Sequence, residues 1–159
     1  MSEGGSGIHA TVLVFGECGV LIMGAAGAGK SALALALLAR ARDSSRFGAL
    51  IGDDRVWLEA RNGRLLARGA VGTAGQIERR GVGILTVPHE PAAVVRLAVA
   101  LGPDLPPRFP GEPDVLTIEG LSIPRLRLVS SHSTMDNSLI VEERLLAMFP
   151  IGRQKVNFA

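Results

Sequence analysis

With 159 residues, 47% hydrophobic and 20% charged, the chain has the length of one domain and the composition of an ordinary globular protein, which excludes disorder, collagen and coiled coil. Fifteen of its 17 basic residues are arginine, the net charge is +2 and no Lys/Arg run exceeds two residues, so no basic stripe is present to hold a nucleic-acid backbone. Cys18 stands alone and His9, His89 and His132 lie far apart, which excludes a disulfide framework and a zinc site with clustered ligands.

Residues 1–7 are small and polar, unlike a signal peptide, and are expected to form a flexible arm. The 18 residues 11–28 carry a single charge, a length that raises the question of a membrane span. Glu17 near the middle, interrupting glycines and Lys30 just beyond argue instead for a buried strand pair feeding a glycine loop. A cytoplasmic protein without membrane contact is the expectation. The runs TVLVF (11–15) and GVLIM (19–23) flank Gly16-Glu17-Cys18-Gly19, which predicts a hairpin. Residues 31–42 (SALALALLARAR) are strong helix formers ending in arginines that suit the negative end of the helix dipole. A brief apolar strand at 49–51 runs into Asp53-Asp54. Strands at 56–60 and 65–68 flank Asn62-Gly63, whose positive φ angles fit a type I′ turn.

Further strands are expected at 84–87 and 94–101, with a helix the alternative for the second. The segment 103–113 holds five prolines in eleven residues and predicts a stiff surface connection. Residues 121–129 alternate around Pro124 and read as an edge strand, and 138–149 (SLIVEERLLAMF) as a helix ended by Pro150. The sum is one α/β domain over residues 8–150, a mixed sheet rich in hairpins, with a tail at 151–159.

Gly24-Ala25-Ala26-Gly27-Ala28-Gly29-Lys30-Ser31 satisfies the pattern G-x-x-x-x-G-K-S/T, with a strand before it and a helix after it. Backbone N–H groups of such a loop close around phosphate oxygens only where no side chain blocks the approach, and the helix N-terminus adds partial positive charge. Lys30 is expected to reach the β and γ phosphates and the Ser31 hydroxyl to ligate Mg²⁺, which makes a nucleoside triphosphate such as ATP, or a closely related phosphate ligand, the expected ligand. Asp53-Asp54 lies 23 residues after Lys30, where a second strand can present carboxylates beside the phosphates. One acid can then hold the metal while the other takes a proton from an incoming hydroxyl. The competing reading of this pair is a solvated strand end next to Arg55.

His9, the glycine loop fifteen residues later, "LIGDDRV" and Glu78-Arg79-Arg80-Gly81-Val82-Gly83 occur in the order and near-spacing of the HPr kinase/phosphorylase catalytic domain. The last element resembles that family's E-x-R-G-x-G signature, and the resemblance covers about residues 8–85. It implies a minimal P-loop kinase, resembling the C-terminal catalytic domain alone, that phosphorylates a serine of an HPr-type phosphocarrier protein of a phosphotransferase system. The implied reverse reaction is phosphorolysis, in which orthophosphate takes the phosphoryl group and pyrophosphate leaves. On this chain the resemblance implies Asp53 as general base, Ser31, Asp54 and Glu78 around Mg²⁺, and Arg80 fixing the signature loop. It further implies His9 beside Asp53, Arg108 near the transferring phosphate, and a homo-oligomer, hexameric in the family. Two other classes stay open: a P-loop kinase of a small metabolite and a nucleotide-sensing module without transfer. A GTPase is disfavoured, since no Asn-Lys-x-Asp motif occurs.

Overall fold

The short apolar runs pair as the turn residues between them dictate. The computed structural model of the protein describes residues 5–104 and 113–149. Strand β1 (Ser6–Ile8) precedes the hairpin β2 (Thr11–Phe15) and β3 (Cys18–Gly24), which turns at Gly16 with φ 64°. Helix α1 (Lys30–Asp43) follows, ending on Arg40 and Arg42, and then β4 (Gly48–Gly52). Strands β5 (Val56–Arg61) and β6 (Arg64–Gly69) form the second hairpin, with Asn62 and Gly63 at φ 52° and 74° as a type I′ turn requires. The chain continues through β7 (Gln76–Arg79), β8 (Gly83–Thr86), β9 (Ala92–Gly102), β10 (Val115–Ile118), β11 (Leu121–Val129) and α2 (Thr134–Met148).

The main sheet runs β1-β5-β6-β9-β3-β2-β4, with β11 also on β9 and β10 on β11, while β7 and β8 form a separate ribbon. Only β3–β9 and β9–β11 are parallel, so the sheet is mixed, as expected. The eleven-residue β9 divides its pairing: Ala92 to Val94 meet β6, and Ala98 to Gly102 meet β11. Strands β2 and β3 are apolar on both faces because both are covered. Leu13, Phe15, Val20 and Ile22 pack with Leu33 and Leu37 of α1 and Val141 and Leu145 of α2. Val12, Val14 and Leu21 pack on the other side with Leu58, Leu65 and Ile123. Near-continuous hydrophobic strands are the usual mark of such double burial.

Several expectations need correction. Ser6 and Gly7, expected in a flexible arm, belong to β1 and pair with β5. Strand β11 is an edge strand, as expected, but it is not without a hairpin partner: residues 121–124 pair with β10, which the sequence reading missed, and residues 125–129 with β9. Helix α2 starts at Thr134 and not at 138, because Ser133 accepts a hydrogen bond from the Asp136 N–H and caps it. Glu78 and Arg79 of the signature lie on β7, a strand the sequence reading did not place. Most of the proline-rich segment, Arg108 and the tail 151–159 lie outside the described residues. Among the described residues no helix is long and apolar enough to cross a membrane.

One irregularity positions the site. Strands β2 and β4 pair Phe15 with Gly48, Val14 with Ala49 and Leu13 with Leu50, but Val12 with Gly52. The extra residue, Ile51, makes a bulge near the end of β4, the kind of insertion that re-aims the side chains beyond it.

Candidate active site

The loop from β3 to α1 is built from residues that leave its backbone open. Gly27 and Gly29 have φ of 79° and 99°, which L side chains rarely adopt. Gly29 is the N-cap of α1, no side chain caps the helix, and no acid sits in its first turn. The first N–H groups of the helix are therefore free of side-chain acceptors, the condition for an anion to take them. Lys30 is buried, and its Nζ donates to the carbonyls of Gly24 at 2.9 Å and Ala25 at 3.0 Å. The ammonium thus lies against the loop that the spacing predicts it should serve.

Asp53 follows directly on β4 and its carboxylate is held from three sides. Oδ1 accepts from Ser31 Oγ at 2.8 Å and from Thr11 Oγ1 at 2.8 Å, and Oδ2 accepts from the Glu78 N–H at 3.3 Å. Asp54 turns away: its φ is 71°, its side chain is 81% exposed, and its Oδ1 meets Nε2 of His9, which is 52% exposed. His9 is therefore beside Asp54 and not beside Asp53, and Ser31 is bonded to Asp53 and not to Asp54. The left-handed backbone at Asp54 is the physical reason, since it sends the two adjacent carboxylates in different directions.

Lys30, Ser31, Asp53, Asp54, His9 and Glu78 all line one cleft of about 790 Å³. The β7–β8 ribbon forms its far wall, contributing Glu78, Arg79, Arg80 and Ile84. A Cβ built on Gly27 would lie 3.7 Å from a guanidinium nitrogen of Arg80, so this arginine reaches across to the glycine loop. The cleft sets Lys30, Arg55, Arg79 and Arg80 against Asp53, Asp54 and Glu78, mixed charge that suits a metal-bound polyphosphate better than a bare anion. Among the described residues no three His, Cys, Asp or Glu side chains converge as a closed metal cage.

Thr11 escaped the sequence reading. Its signal is a hydroxyl in the otherwise apolar run TVLVF, fully buried at the start of β2, where a polar group needs a partner.

The profile of the HPr Serine kinase C-terminal domain matches residues 4–90. Over 81 residues, 51% of this chain, the sequence is 35% identical to the HPr kinase/phosphorylase of Clostridium tetani (strain Massachusetts / E88). The matched stretch spans 25% of that protein, so the chain aligns with about a quarter of the curated relative. The structure of the Hpr(Ser) kinase/phosphatase from Coxiella burnetii superposes with a TM-score of 0.72 at 28% identity, over 90% of this chain and 98% of that one.

Proposed function

The chain belongs to the HPr serine kinase C-terminal domain family, and on that premise we propose that it is an ATP-dependent protein-serine kinase whose acceptor is an HPr-type phosphocarrier protein. The observation that carries the reading is the 2.8 Å hydrogen bond from Ser31 to Asp53. It ties the glycine loop, which would hold the triphosphate, to the carboxylates that an acceptor hydroxyl must approach. Transfer forms a bond from the serine oxygen of the acceptor to the γ-phosphorus, breaks the bond from phosphorus to the β–γ bridging oxygen, and passes the serine proton to a carboxylate. The reverse phosphorolysis would form pyrophosphate from orthophosphate and phosphoserine and return that proton to the serine oxygen.

The oxygen donors fit Mg²⁺, which takes one or two carboxylates together with phosphate oxygens and keeps several waters. Ser31, Asp54 and Glu78 would hold it in the assignment that the resemblance implies, where it neutralises charge on the phosphoryl oxygens. Lys30 would leave its loop carbonyls for the phosphates, and Arg80 would face the equatorial oxygens.

The Ser31–Asp53 bond also favours a second assignment of the acids. The hydroxyl of a phosphate-binding loop and the carboxylate bonded to it commonly share the metal. Asp53 would then stand on the metal side, and the exposed Asp54–His9 pair would take the serine proton. Two variants separate the assignments. The acid that acts as base loses transfer by roughly 10²–10⁴-fold when changed to asparagine, at any magnesium concentration. The acid on the metal side instead shows a raised magnesium requirement. Asp53→Asn and Asp54→Asn, each titrated with magnesium, give opposite patterns under the two assignments.

The function itself is tested by intact-mass analysis of an HPr-type phosphocarrier incubated with this protein, ATP and Mg²⁺. Expected is one added phosphate on a serine, removed when orthophosphate is supplied, with pyrophosphate released. ATP binding without transfer would replace this reading with a sensing module or a metabolite kinase. A homo-oligomer, hexameric by the resemblance, belongs to the same proposal and is read by light scattering.

A further inference from the structure

We infer that Thr11 is a positioning residue for Asp53, set opposite it by the bulge at Ile51. The register carries the argument. Had β2 and β4 kept the pairing of Phe15 with Gly48 and Leu13 with Leu50, Thr11 would face Gly52 and Asp53 would run past to Ala10. A slip of one residue also exchanges the faces of a strand. Without the bulge Asp53 would share the side of Ile51, which packs away from the helices, and not that of Leu50, which packs beneath α1. The shift at Val12 instead carries Asp53 to Thr11, whose hydroxyl bonds it at 2.8 Å, on the side where Ser31 lies in the first turn of α1.

Both hydroxyls then converge on one oxygen. Thr11 Oγ1 and Ser31 Oγ each donate to Asp53 Oδ1 at 2.8 Å. Ser31 sits in the first turn of α1, at the mouth of the phosphate loop, so its bond is the one that would change when ATP enters. Thr11 is fully buried within a paired strand and its bond stays. It therefore fixes the carboxylate orientation while Ser31 would turn to the phosphates, and leaves Oδ2, which among the described residues accepts only the long bond from the Glu78 N–H at 3.3 Å, as the oxygen with the more available lone pairs. The inference rests on the reading that Asp53 serves phosphoryl transfer, in either of its two assignments.

The test uses the whole chain with ATP, Mg²⁺ and the phosphocarrier. Thr11→Val keeps the shape and removes the donor. It should lower transfer about 10- to 100-fold, as loss of an orienting hydrogen bond does, with ATP affinity in the absence of magnesium unchanged. Thr11→Ser keeps the donor and should restore transfer. In an Asp53→Asn background Thr11→Val should cost nothing further, because the two act as one unit. Should Thr11→Val not fold, Thr11→Ala must show the same split between transfer and ATP affinity. Wild-type transfer by Thr11→Val beside an impaired Asp53→Asn overturns the inference alone. So does an equal loss in Thr11→Ser, or a matching loss of ATP affinity. Near-normal transfer by Asp53→Asn at every magnesium concentration overturns the inference together with the reading of Asp53.

Discussion

A lysine that already has two carbonyl partners changes what its removal does. Lys30 is satisfied by Gly24 and Ala25 without any ligand, so its ammonium must exchange those bonds for phosphate oxygens and gains only the difference. Lys30→Ala is therefore expected to weaken ATP binding by about 30- to 150-fold, the worth of one charge-assisted hydrogen bond of about 2–3 kcal/mol. Calorimetric titration with ATP checks this; unchanged affinity would remove the loop from the binding site. At this scale the loop itself is legible in the sequence, since Gly27 and Gly29 occupy backbone conformations that glycine favours and Lys30-Ser31 carries the required donors. The pairing of His9 with Asp54 is not legible. Which of two adjacent aspartates meets a distant histidine depends on the positive φ of Asp54, and no residue pattern announces that.

Among the elements, hairpins were the most readable because their turns are local chemistry, Asn62-Gly63 above all. The bulge at Ile51 was not, because it exists only in the relation of β4 to β2. Gly69 marks it from the far side: a Cβ there would lie 1.9 Å from the Ile51 carbonyl oxygen, so the bulged strand and the end of β6 approach closely only because that residue is glycine. The β10–β11 hairpin carries its own electrostatic clasp, with Asp114 accepting from Arg125 at 2.8 Å and from Arg127 at 2.8 Å. Hydrogen bonds from Arg125, and next from Arg127, lower the Asp114 pKa from 3.8 to about 2. A carboxyl depressed in the folded state contributes stability above its ordinary pKa and loses it as pH falls through the folded value. The Tm difference between the protein and Asp114→Asn should thus be constant above about pH 5, shrink as the pH falls below that and vanish only below about pH 2. The difference should also be smaller in high salt, because Asp114 and Arg127 remain partly in water. A difference independent of pH would show that the clasp adds nothing through charge.

On the scale of the whole molecule, α1 links the site to the second helix. Its first turn carries Lys30 and Ser31, and its last turn carries Arg40, which with Arg46 is paired to the buried Glu142 of α2. The helices could be read from composition. Their pairing through one glutamate could not, since Glu142-Glu143 in the sequence looks like surface charge. Removing Glu142 leaves two arginines 28% and 25% exposed without the carboxylate they share. Fully buried broken pairs cost 3–5 kcal/mol, and this partial exposure brings the expected loss for Glu142→Ala to about 2 kcal/mol. For a chain of this size that is roughly 4–8 °C in Tm. The loss should fall on stability alone, because the loop, Asp53 and Thr11 are held by β2, β3 and β4 and not by α2. Thermal unfolding together with ATP titration well below the transition separates the two. A lowered Tm with unchanged ATP affinity fits a helix pair that braces α1 from its far end, whereas a parallel fall in affinity would mean that α2 also sets the geometry of the phosphate loop.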